Sequence, residues 1–352
     1  MGVYYIYFFI LAFLTTIGSV GKTRLNRQAI IFLMCLCTWL LIGLRDSTVG
    51  VDTRSYIDSW GHISTWSFPR LLNEMVHQKE QLYLLICWLT GQFTSNYTVY
   101  LLVWAAFPAV ALYITMRKYL ETPTQYFEVI VVMCMLGLYA FFVAGIRQTA
   151  AISIVLLSFK YLKDGKLAKF LLCIAVAYLI HNSCVVFIIA YPLRYVKVKW
   201  WFPVVIIGLH ILSSYIKIDL VVRLAAALFK DRFISYGTVY LSTQNNSAFI
   251  VQFVLYLICY FNIKKLIKKD YSNNILFVLL TMALFFQSMS GMLAEFSRVS
   301  FYFCVFYLIL LPRALSEFKP ENRFYINVSF IAFCILLLLF VSKTNLPTYH
   351  FA

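Results

Sequence analysis

Long apolar runs, broken at intervals by short charged stretches, set the pattern of this chain. The runs are Val3–Val20, Ala29–Leu44, Thr98–Met116, Phe127–Ala144, Thr149–Leu162, Phe170–Ile180, Cys184–Leu193, Trp200–Tyr215, Ala248–Ile263, Ile275–Met292, Val299–Leu311 and Phe324–Val341. In hydrocarbon every backbone N–H and C=O must be satisfied within its own segment, so runs of this kind are read as membrane helices. Val3–Val20 lacks a basic leading region and a small-residue cleavage site, so it is read as a first span and not as a removed signal. A thirteenth segment, Gln81–Phe93, is too short for a full crossing, which takes about 20 residues. The prediction is an all-α polytopic membrane protein of about twelve crossings plus one re-entrant segment. It forms a single integral membrane domain over 1–352, with long outer loops at 45–80 and 216–246. Trp60, Trp66 and Phe68 in the first loop, and Val221–Phe229 in the second, are expected at the membrane interface.

Composition agrees and charge gives the orientation. The chain of 352 residues is 62% apolar and 12% charged, with a mean hydropathy of +0.82. The net charge of +16 does not argue for nucleic acid here, because excess Lys and Arg in a membrane protein mark cytoplasmic loops and anionic lipid headgroups. The basic hinge Gly21–Gln28 is therefore cytoplasmic and the N-terminus external. Treating Gln81–Phe93 as re-entrant keeps Arg117-Lys118, Lys163–Lys169, Arg194–Lys199 and Lys264–Asp270 on the cytoplasmic side as well. The nine cysteines fall singly and almost all within apolar runs, as small packing residues do.

Lysine and arginine then part company. On this topology 13 lysines lie inside and 4 outside, whereas 6 arginines lie inside and 7 outside. Arginine presents a planar fork suited to bidentate phosphate binding, so an outer face that keeps arginine and excludes lysine points to an anionic ligand. The outer candidates for pyrophosphate and sugar binding are Arg45, Arg147, Gln148, Arg232, Arg298 and Tyr302. Arg147 opens a helix, where a cation is unfavourable unless an anion joins it. Gly50 in the VGVD turn can take a positive φ and turn backbone N–H groups toward a ligand. Asp52 and His181 are the candidate bases, His181 at the expected level of Arg147. Each has a plainer reading: Arg45 pairing with Asp46, Glu295 with Arg298 at i,i+3 spacing, and a lone histidine serving structure. No Gly-rich phosphate loop, metal-ligand motif or nucleophile elbow is present, and neither a metal nor a cofactor is expected.

Four motifs in order, GLRDSTVGVDTRSY at Gly43–Tyr56, GIRQTAA at Gly145–Ala151, HNS at His181–Ser183 ahead of YPL, and EFSRVSFYF at Glu295–Phe303 ahead of LLP, resemble the EpsG family. That family comprises Wzy-like polymerases of bacterial surface polysaccharides such as O-antigen and capsule. The resemblance implies a GT-C-like, metal-independent glycosyltransferase of the bacterial inner membrane. It would join oligosaccharide repeat units carried on undecaprenyl pyrophosphate at the periplasmic face. Its partners would be the lipid-linked oligosaccharide, membrane lipid and a chain-length regulator protein. Two other classes fit the sequence less well. A lipid-linked oligosaccharide flippase should carry inverted repeats and mid-membrane ionisable residues, and the sequence has neither. A membrane acyltransferase modifying the polysaccharide needs a catalytic histidine facing a cytoplasmic acyl donor, whereas His181 is expected outside.

Overall fold

The structure, a computed structural model, describes residues 2–20, 24–215, 246–292, 295–318 and 348–352. The expected interfacial helix Val221–Phe229, nearly all of the second outer loop, and the expected span Phe324–Val341 lie outside the described residues. Among the described residues every regular element is a helix. Five are long and apolar enough to cross a membrane, or up to seven if each of two bent helix pairs is one span. The protein is thus an all-α membrane protein. Several runs read as crossings in the sequence form shorter helices, at Leu167–Tyr178, Asn182–Leu193 and Phe202–Tyr215. The described helices gather into two compact units, Met1–Ile188 with the C-terminal tail, and Ile189–Glu317.

The first unit begins with two long helices, α1 (Gly2–Val20) and α2 (Arg24–Gly43). The stretch expected as an open loop then folds into α3 (Thr53–Ser64) and α4 (Phe68–His77). It does so because its apolar residues recur at helical spacing and bury against the next helices. Trp60 stacks on Tyr100 at 4.8 Å between ring centroids, and Trp66 and Leu71 join the same core, while Phe68 stays exposed. The short apolar segment forms α5 over Gln81–Phe93, as the apolar run delimits it. Thirteen residues rise about 20 Å, less than a hydrocarbon core of about 30 Å.

The long helix α6 (Tyr97–Tyr119) packs antiparallel to α2. Trp39 Nε1 donates to the Leu102 carbonyl at 2.8 Å near one end, and Arg27 reaches the Glu121 carbonyl at 3.4 Å at the other. Arg117-Lys118 therefore lie at the same end of the helices as Arg27, and the chain between α2 and α6 returns to the end it left. The expected continuous span Phe127–Ala144 breaks into α7 (Pro123–Met135) and α8 (Leu138–Ala144), bent by 66°. Gly137 makes the bend: its φ of 70° is one that side chains with a Cβ resist. Then follow α9 (Ile146–Lys163), α10 (Leu167–Tyr178) and a 3₁₀ turn over Asn182–Ile189.

In the second unit, α11 (Ala190–Leu193) and α12 (Phe202–Tyr215) precede a hairpin of α13 (Asn246–Lys269) and α14 (Ser272–Ser288). Asp270 closes that hairpin by accepting from the Ser272 backbone N–H at 2.9 Å and its hydroxyl at 2.6 Å. The expected span Val299–Leu311 is α15 (Glu295–Cys304) and α16 (Tyr307–Leu315), bent by 53°.

Candidate functional site

Two charged or titratable side chains from distant parts of the first unit meet at one carboxylate. Arg147 Nη1 donates to Glu80 Oε2 at 2.5 Å, and His181 Nδ1 donates to Glu80 Oε1 at 2.6 Å. The Asn182 backbone N–H adds a longer bond to Oε1 at 3.4 Å. Side-chain exposures of 36% for Arg147, 14% for Glu80 and 21% for His181 place the cluster at a surface and not in the core.

Local helix physics explains why these residues converge. Glu80 is the residue before the first turn of α5, and its side chain does not cap that helix. The N–H groups of Leu82 and Tyr83 instead donate to the Leu179 carbonyl at 2.8 and 3.3 Å. Orphan donors of one helix start are thereby satisfied by the end of another, pinning α5 to the chain just before His181. Arg147 sits in the first turn of α9, at the positive end of its dipole, where a cation needs an anion. Glu80 supplies it. The Arg147 guanidinium also lies over two aromatic rings, Tyr83 at 5.0 Å and Tyr56 at 5.4 Å. Burial raises the Glu80 carboxyl, but the His181 hydrogen bond and the Arg147 charge outweigh it, and the group titrates below the usual range. An ionised carboxylate can only accept, so the proton sits on His181 Nδ1, and in the neutral ring the lone pair is on Nε2.

The other sequence candidates fall in different settings. Arg45 is 1% exposed and donates to the main-chain carbonyls of Ile42 and, at 2.9 Å, Val143. Burial pulls it down to about 10, which still leaves it protonated at neutral pH. The expected Arg45–Asp46 pair is absent: Asp46 Oδ1 accepts from the Thr48 N–H at 2.9 Å and the Thr48 hydroxyl at 2.7 Å. Gly50 does take a positive φ, 96°, but a Cβ there would press on Val143, so the glycine serves close approach of the turn to the end of α8. The tail closes the same region, with Asp46 N–H donating to the His350 carbonyl at 2.8 Å and Tyr349 Oη to the Leu41 carbonyl at 2.8 Å. Asp52 is exposed just before α3 and its side chain makes no capping hydrogen bond; it lies one helical turn from Tyr56. Gln148 is buried within α9.

In the second unit, Arg298 lies within the first turns of α15 and not in an open turn. It is 54% exposed and pairs with Glu295, 48% exposed, at 3.6 Å. Tyr302 is fully buried. Arg232 lies outside the described residues. Among the described residues no three His, Cys, Asp or Glu side chains gather closely enough to hold a metal.

Glu80, Tyr56 and Tyr83 are the residues that sequence reasoning missed. The signal for Glu80 was weak but physical: an acid directly ahead of an apolar helix start, and an arginine elsewhere that needed an anion.

Apolar helices of spanning length, with a carboxylate, an arginine and a histidine gathered where helices begin and end, define a polytopic membrane protein with a polar site outside its apolar core. A family model described as the EpsG family matches residues 28–351, nearly the whole chain. The chain belongs to the EpsG family, a Wzy-like polysaccharide polymerase-type family, and is a membrane protein of polysaccharide biosynthesis. No curated protein matches it, and no solved structure does.

Proposed function

We propose that this protein is a polysaccharide repeat-unit polymerase. It transfers a growing glycan from undecaprenyl pyrophosphate to a sugar hydroxyl of an incoming lipid-linked unit, at the periplasmic face of the bacterial inner membrane. The observation that carries the reading is the carboxylate-held pair of His181 and Arg147, in a membrane protein of this family. His181 Nε2 takes the proton of the acceptor hydroxyl as its oxygen bonds to the donor's anomeric carbon. The bond from that carbon to the pyrophosphate oxygen breaks, and the lipid pyrophosphate leaves with the electron pair. Arg147 stabilises the charge that develops there. Glu80 fixes the His181 tautomer and ring direction and holds Arg147 in place.

Asp52 and Tyr56 form the adjoining wall, with Tyr56 and Tyr83 offering ring faces to sugars. Arg45 acts by holding the Gly43–Tyr56 turn in shape. Arg232 and Arg298 remain candidates for contacts to the sugar or lipid carrier, whereas Gln148 and Tyr302, both buried, present no surface to it. The reading includes about twelve crossings, a GT-C-like arrangement and a chain-length regulator as protein partner.

The test is deletion of the gene, complementation with variants, and analysis of the glycan. Loss of a polymerase leaves single repeat units on the acceptor lipid. His181→Ala and Arg147→Ala are expected to reproduce that phenotype at normal protein levels. Absence of any exported unit would indicate a flippase instead, and full-length but unmodified chains an acyltransferase.

A further inference from the structure

At the opposite end of the first unit a cavity of about 340 Å³ opens between α2, α6 and the start of α7. Arg27 and Gln28 contribute from α2, Arg117 from the last turn of α6, and Glu121 and Tyr126 from the chain that follows, with two aliphatic side chains completing the wall. Arg27 and Arg117 are both exposed. Among the described residues neither forms an ion pair; Arg27 donates only to the main-chain oxygen of Glu121, at 3.4 Å. Two guanidinium groups thus face one cavity against a single carboxylate, that of Glu121, with which neither forms an ion pair among the described residues, so the lining keeps an excess of positive charge. Lys118 and Lys163, whose ammonium groups lie 5.3 and 5.7 Å from the Tyr119 ring, add positive charge at the same end of the unit without lining the cavity.

The position is as informative as the charge. Arg147 opens α9 and Lys163 ends it, so the cavity's end of the unit is about 24 Å from the Glu80 cluster along that helix. That separation approaches the thickness of a hydrocarbon core. A cavity at the ends of α2 and α6 therefore lies at headgroup depth on the other side of the membrane. Its mixed lining, guanidinium groups together with the aliphatic side chains of Ile31 and Leu120, matches a phosphate ester attached to an apolar body.

We infer that this cavity is a phosphate-ester site, built by Arg27 and Arg117, that holds the headgroup of an anionic lipid on the side of the membrane opposite the Glu80–Arg147–His181 cluster. The inference is independent of the polymerase reading, since it would hold for a protein of any activity with these helices.

The test uses the full chain purified in detergent, titrated with phosphatidylglycerol or with diacylglycerol, bound lipid being counted by native mass spectrometry. The wild type is expected to retain phosphatidylglycerol and not diacylglycerol. Arg27→Gln/Arg117→Gln is expected to weaken retention about tenfold or more, as two charge-assisted contacts are lost. Lys264→Gln/Lys265→Gln, which removes two exposed charges elsewhere, should leave it unchanged. Arg27→Lys/Arg117→Lys keeps charge without the fork and should fall between, and Arg117→Gln alone serves if the double variant does not fold. Undiminished retention in both Arg117→Gln and the double variant, or equal loss in the lysine control, would overturn the site. Inorganic phosphate forms the last arm. Failure to displace the lipid identifies a headgroup site; displacement at matched concentration keeps the phosphate site but makes the free anion its ligand.

Discussion

Two helix starts in this protein carry an arginine and an acid, and they could hardly be used more differently. At the head of α15 the partners Glu295 and Arg298 are three residues apart, both about half exposed, and 3.6 Å from one another. At the head of α9 the partner of Arg147 comes from 67 residues away, is mostly buried, and is shared with a histidine 101 residues away from it. The first is a surface pair that local geometry supplies without tertiary structure, and such pairs contribute about 0–1 kcal/mol. The second exists only because α5, α9 and the end of α10 are held together. Spacing along the chain makes the first pair easy to find and the second invisible, yet the second is the one with chemistry to offer.

The comparison breaks most readily through activity. His181→Ala should lower polymer formation by about 10²-fold or more, the range for loss of a general base, measured as the ratio of polymer to single lipid-linked units. If His181→Ala left chain length intact while Arg298→Ala abolished it, the roles assigned to the two helix heads would be reversed. Glu80→Gln should come next: the histidine stays but loses its orienting anion, with an expected loss of about 10-fold to 100-fold.

Stability sharpens the same contrast. Arg45→Ala should cost about 3 kcal/mol in thermal unfolding in detergent, since it leaves the Ile42 and Val143 carbonyls without their donor in a buried place. Glu80 makes its contribution pH-dependent. Its folded-state pKa is depressed below the ordinary 4.5, so the unfolded chain binds the proton more readily. The stability that Glu80 confers over Glu80→Gln is then complete above about pH 4.5 and disappears as pH falls through the lower folded value. A wild-type minus variant difference that failed to decline below about pH 4.5 would contradict the Glu80–Arg147–His181 geometry. The smallest effect belongs to Arg298→Ala, within about 0.5 kcal/mol of wild type by the same measurement.

Much of the fold was legible because a membrane helix declares itself in composition. The limits of α1, α2, α5 and α6 follow the apolar runs within a few residues, and the 13 residues of α5 coincide with theirs. The breaks at Gly137 and between Cys304 and Tyr307 were not legible, because an apolar run stays apolar across a bend and only the backbone angle records it. The helices α3 and α4 were hidden in what reads as a polar loop, since their burial depends on Tyr83, Tyr100 and Trp104 from later in the chain. Within the site, Arg147 and His181 stood out as ionisable residues at helix ends. Glu80 did not, because an acid in a polar stretch is ordinary until its partners are known.

The sequence by itself determined the solvent of each segment: which stretches must be helical in lipid, where charge interrupts them, and to which family the ordered motifs belong. Free energies of transfer act residue by residue, so they can be read without a fold. Only the tertiary structure decided which charges meet. It drew Arg45 inward onto main-chain carbonyls, left Arg298 at the surface with its neighbour, and joined Arg147 to His181 through Glu80. Electrostatic partners are chosen by distance in space, and only packing of the helices creates that distance.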